Sequence, residues 1–156
     1  MKLESIVVHP GFAAGRFGPL HVSIWDVRST QAQAASAVEV LEALGREEER
    51  VLVLAVLGAN TPPPDHAVRE VFAAGFQRMG RRVRAVGNVI EGQGFAAATM
   101  RAVVTGLTLM IRTPHAQRTS ATIEESAQFI AQQSDGRLMA DPIRRAALEL
   151  RFHAAA

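Results

Sequence analysis

Val51–Leu57 reads VLVLAVL, seven consecutive apolar residues. Successive strand side chains point to opposite faces, so a segment apolar at every position is a strand covered on both sides. A chain built around such a strand needs helices for two faces, and the flanking sequence provides them.

Before it, Ser5–His9 alternates weakly, Pro10-Gly11 and Gly18-Pro19 are turn dipeptides, and Leu20–Val27 (LHVSIWDV) is rich in β-branched and aromatic residues. Two or three antiparallel strands are predicted there. A helix follows, capped by Ser29 or Thr30, with Ala34, Ala37, Val38, Leu41 and Leu44 at helical spacing and Gly45 as its C-terminal cap.

After the central strand, Gly58–Asp65 is a stiff loop with three prolines, and Asp65 or Thr61 caps a helix. Its stripe is Val68, Val71, Phe72, Gly75, Phe76 and Met79, and Gly80 ends it. Val83–Ile90 is the next strand. Glu91–Gly94 then turns into a helix striped by Met100, Val103, Val104, Leu107 and Ile111. His115–Thr119 is a polar edge strand, and Thr122-Ile123-Glu124-Glu125 opens a helix to about Gln133. Ser134–Ala140 is a linker, and a last helix starts at Asp141-Pro142.

The predicted fold is α/β, with N-terminal antiparallel strands followed by parallel βα units in a mixed sheet. Residues 1–133 form the domain. Residues 134–156 form the linker and an extra C-terminal helix that packs on the domain or on the second copy in a homodimer. The dimer contact is favoured because the other helices already suffice for both sheet faces.

Composition limits the function classes. A chain of 156 residues fits one domain, able to bury roughly 68–70% of its unfolded surface. It has no cysteine, which removes disulfides and thiolate chemistry and suits a cytoplasmic location. The opening MKLESIVVHPGF carries Glu4 within a short apolar run and reads as a strand, not a secretory leader. No apolar run approaches the ~20 residues of a membrane span. Sixteen of the 17 basic residues are arginine, a bias that, with many alanines and no tyrosine, matches a GC-rich bacterial genome. A net charge of +2 gives little attraction to nucleic acid.

From about Phe17 to Gln133 the order resembles the STAS domain of anti-sigma-factor antagonists and their SpoIIAA-like relatives. The resemblance is carried by LHVSIWDV with TQAQAASAVEVLEAL, by VLVLAVL with its following loop, and by AVVTGLTLMIRTPHAQRTSATIEESAQFI. It implies a non-enzymatic regulatory module that binds a protein partner in bacterial signalling, in some relatives holding a nucleotide or lipid. The antagonists carry a phosphorylated serine in an Asp-Ser-Ser/Thr-Gly motif. The matching stretch here is Ala59-Asn60-Thr61-Pro62, so Thr61 is the candidate phosphosite, without the motif's aspartate or glycine.

The candidate site lies where ligands collect in open α/β sheets, at the strands' C-terminal ends. Asn60, Thr61, Asp65 and His66 come from the proline loop, Glu91, Gly92, Gly94 and Phe95 from the glycine loop, and Asp26 from the end of the first long strand. Each residue has a plainer reading: prolines that stiffen a helix entry, glycines that turn, an aspartate that caps. His66 meeting Glu91 across the cleft would make an acid/base pair that no motif supports, and with Asp26 these residues line the pocket of the rival reading, a small-ligand (nucleotide or lipid) binder or weak enzyme. A third reading is a structural subunit acting through its C-terminal helix. Five dispersed histidines make no i, i+4 pair or metal cluster, and no nucleophile elbow, Walker motif or dinucleotide fingerprint occurs, so no cofactor is expected. Arg78, Arg81, Arg82 and Arg84, without aromatics between them, suit an acidic protein partner better than nucleic acid.

Overall fold

The computed structural model describes residues 1–112 and 115–155. Thr113 and Pro114, within the segment compared with the STAS C-terminal half, and Ala156, the end of the 134–156 segment, lie outside the described residues.

Two tight turns set the first three strands. Gly11 and Gly18, both at positive φ, reverse the chain between β1 (Leu3–His9), β2 (Phe12–Phe17) and β3 (Leu20–Trp25), which pair antiparallel. From β3 onward the pairing is parallel: β4 (Val51–Leu57), β5 (Val83–Ile90) and β6 (Ala116–Ser120). The sheet order is β1-β2-β3-β4-β5-β6, so β4 is interior, as its apolar run requires.

Three crossover helices join the parallel strands: α1 (Gln31–Glu47), α2 (His66–Met79) and α3 (Phe95–Met110). In a sheet that always advances in one direction, right-handed crossovers place all three helices on the same face. The opposite face is covered by α4 (Ile123–Gln133) and α5 (Ala140–Ala155). Its core joins Leu20, Val22, Ile24, Leu52, Leu54 and Val56 to Ile130, Ile143, Ala147 and Leu150.

This corrects the favoured placement of the C-terminal helix. The earlier helices do not cover both faces, so α5 packs on β1, β2, β3 and α4 of its own domain. The linker is built in as well: Ser134 Oγ donates to the Ala131 carbonyl and accepts from Leu138 N–H. Among the described residues, no helix is long and apolar enough to cross a membrane.

Most caps follow the sequence. Thr30 and Gln33 form a capping box, Asp65 accepts from Val68 N–H, Thr122 accepts from Glu125 N–H, and Gly80 closes α2 at φ 56°. Gly45 departs from expectation. Helix α1 runs past it to Glu47, and a Cβ on Gly45 would stand 2.6 Å from Met79 Cε. Gly75 on α2 likewise faces Val38 at 2.6 Å. These glycines let α1 and α2 approach closely.

Candidate functional site

The loops after β3, β4 and β5 meet at one rim, as the parallel register demands. Gly58 N–H donates to the Trp25 carbonyl at 2.9 Å, and Glu91 N–H to the Leu57 carbonyl at 3.0 Å. Asp26 and Glu91 are brought together, but an arginine stands between them. Arg151 of α5 donates to Asp26 Oδ1 at 2.9 Å and to Glu91 Oε2 at 2.9 Å. The hydrogen bonds that Arg151 donates to Glu91 and then to Asp26 raise the already high guanidinium pKa further, so Arg151 stays charged. Gly58 makes room for the cluster, since a Cβ there would lie 2.0 Å from Asp26 Oδ1. Sequence reasoning missed Arg151 because its partners lie 60 and 125 positions away.

The other rim residues have local partners. Thr61 is buried and its hydroxyl donates to the Trp25 carbonyl at 3.1 Å, so the expected phosphosite faces inward. His66 does not meet Glu91. It reaches one turn along its own helix to Glu70 at 2.9 Å, while both Glu91 oxygens bond Arg151. Asp65 is occupied as a helix cap. Asn60, Gly92 and Gly94 hold positive φ in the turns, and Phe95 is 88% exposed.

A second feature lies beneath this rim, between the sheet and the crossover helices. Parallel register lines up Ser23, Ala55 and Asn88 in one row across β3, β4 and β5, flanked by the rows His21–Val53–Val86–Gln117 and Trp25–Leu57–Ile90. Two small residues and one short amide in the middle row leave its floor low. Opposite stand Val38 and Leu41 of α1, Phe72 and Phe76 of α2, and Met100, Val104 and Leu107 of α3. The cavity between them has a volume of about 110 Å³.

Helix α3 shows the consequence. Of its residues only Ala97 and Met100 are buried. Val103, Val104 and Leu107 are half-buried and form a wall of the cavity.

The cavity's polar groups are hydroxyls, carboxamides, the Trp25 indole N–H and the imidazoles of His21 and His115. None of the described lining residues is Asp, Glu, Lys or Arg. His21 is buried, and burial pushes its imidazole down to about 4. It is therefore neutral near neutrality, with the Nε2 proton on the Ala37 carbonyl at 3.0 Å and Nδ1 left as an acceptor without a donor. Asn88 is 9% exposed, and none of the described residues hydrogen-bonds its carboxamide. Ser23 Oγ accepts from Trp25 Nε1–H at 2.9 Å. Among the described residues such a chamber offers a ligand no carboxylate, ammonium or guanidinium group. It can hold an apolar body and satisfy a polar group or two.

No family model matches the chain, nor does any curated protein or solved structure.

Proposed function

We propose that this protein binds a small apolar ligand in the cavity between β3–β5 and helices α1–α3. The observation that carries the reading is the cavity itself, about 110 Å³ walled by Leu41, Phe72, Phe76 and Leu107. Ligand sites are concave, mainly apolar and fitted with a few polar groups, whereas ordinary interiors pack without such voids. This favours a lipid-like molecule over a nucleotide, whose phosphates would meet no lysine or arginine among the described lining residues. The neutral probe N-phenyl-1-naphthylamine tests it. Saturable fluorescence enhancement is expected, with a raised melting temperature, since a ligand at ~100 times its dissociation constant adds about 2.7 kcal/mol. No enhancement at any concentration would reject the reading.

A second reading is a STAS-like module that docks a protein partner at the rim. It is favoured by Phe95, 88% exposed on the first turn of α3 beside the Glu91–Gly94 loop. Under this reading the protein is a regulatory, non-enzymatic component. Capture of a bacterial partner by the wild type but not by Phe95→Ser would support it, and equal capture would dismiss it.

A further inference from the structure

The polar atoms of the cavity restrict the ligand more than its apolar walls do. A carboxylate, phosphate or ammonium group moved into the chamber would lose its hydration shell and find no Lys, Arg, Asp or Glu among the described lining residues. An uncharged hydroxyl or carbonyl loses far less, and Asn88 can replace what it loses. The amide has two donors and an acceptor. It lies at the end of the Ser23–Ala55–Asn88 row, where the alanine leaves the floor lowest. Asn88 lines the cavity and makes no hydrogen bond to the described residues, so its amide is available to pair with a ligand. His21 Nδ1, one row away, also lacks a partner.

Resting on the apolar-ligand reading above, we infer that the cavity selects an uncharged ligand whose hydroxyl or carbonyl hydrogen-bonds the Asn88 carboxamide. The hydrocarbon part extends under α3 between Phe76 and Leu107. Fatty-acid anions and phosphorylated lipids bind more weakly than the matching alcohols, because no lysine or arginine is among the described lining residues.

The test displaces N-phenyl-1-naphthylamine with 1-octanol, octanoate and naphthalene at about pH 8, where a free carboxylate is ionised. The wild type and Asn88→Leu, which has similar shape but no amide, are compared. In the wild type, 1-octanol is expected to bind at least about tenfold more tightly than octanoate. In Asn88→Leu, 1-octanol is expected to weaken by about tenfold while naphthalene changes by less than about twofold. Naphthalene retention also shows that the variant is folded. Octanoate binding as tightly as 1-octanol, or 1-octanol unaffected by the substitution, overturns the inference while leaving the apolar-ligand reading intact. Failure of both probe and naphthalene to bind the wild type removes that reading, and this inference with it.

Discussion

Arg151 Nη1 lies 2.9 Å from Glu91 Oε2, so a side chain near the end of the last helix ties down the loop after β5. The same guanidinium holds Asp26 after β3, and its side chain is 24% exposed. Arg151→Leu leaves two carboxylates side by side without their cation. Given the partial exposure, a loss of about 1–3 kcal/mol is expected. That is a melting-temperature drop of very roughly 2–12 °C, readable by calorimetry. Arg151→Lys should recover only part of it, because an ammonium cannot bridge both carboxylates with a planar fork.

His21 makes stability pH-dependent. Its folded pKa of about 4 lies below the unfolded value of about 6.5, so between these pH values the unfolded chain takes up a proton that the folded one does not. The His21 contribution is therefore complete above about pH 6.5 and declines towards pH 4, by roughly 3 kcal/mol in all. His21→Gln keeps a donor for the Ala37 carbonyl and should flatten this part of a urea-midpoint profile against pH. An unchanged profile would show that His21 is not the titrating group.

Thr61 should behave as a core residue. Thr61→Val removes the bond to the Trp25 carbonyl, with an expected cost of about 1–2 kcal/mol. Thr61→Glu forces a charge into the same buried position and should cost several kcal/mol, lowering the urea midpoint far more than a phosphate-mimicking change at a surface loop would. A glutamate variant as stable as the wild type would return Thr61 to candidacy as a switch.

Filling the cavity should separate binding from folding. Ala55→Leu adds three carbon atoms to the low floor, each worth up to about 0.8 kcal/mol when buried. Melting temperature is expected to hold or rise by a few degrees. Affinity for N-phenyl-1-naphthylamine, read by fluorescence titration, should fall at least about tenfold.

The two interhelical glycines should respond differently to alanine. Each substitution gains about 1 kcal/mol of helix propensity. At Gly45 the new methyl meets the flexible end of Met79, which can swing aside, so Gly45→Ala should be neutral or slightly stabilising. At Gly75 it meets Val38, branched at Cβ and stiff, and overpacking of about 1–3 kcal/mol should outweigh the gain. Chemical denaturation of the two variants side by side checks the order.

The architecture was legible because local signals and global position agree. VLVLAVL sits inside the sheet, the Leu20–Trp25 strand precedes it, and Asp65, Gly80 and Thr122 mark helix ends by short-range hydrogen bonds or backbone conformation. The site was legible only in outline. The rim loops converge as the parallel topology requires, yet the residues that decide its chemistry depend on distant contacts. Arg151 is one charged residue among many until α5 is placed. Ser23, Ala55 and Asn88 mean little separately, and only the strand register puts them in one row. The α3 stripe has core periodicity whether it packs against side chains or against an opening, and periodicity cannot separate the two.

The one-way order of the strands has a consequence for biosynthesis. Everything emerging from the ribosome up to Ser120 can assemble the sheet and roof just one side of it. Leu20, Val22, Leu52, Leu54 and Val56 then wait, bare, for the residues of the final two helices. A nascent chain paused in that interval offers a broad oily surface to holdase chaperones or to its neighbours on the polysome. Emergence of α4 and α5 ends that exposure.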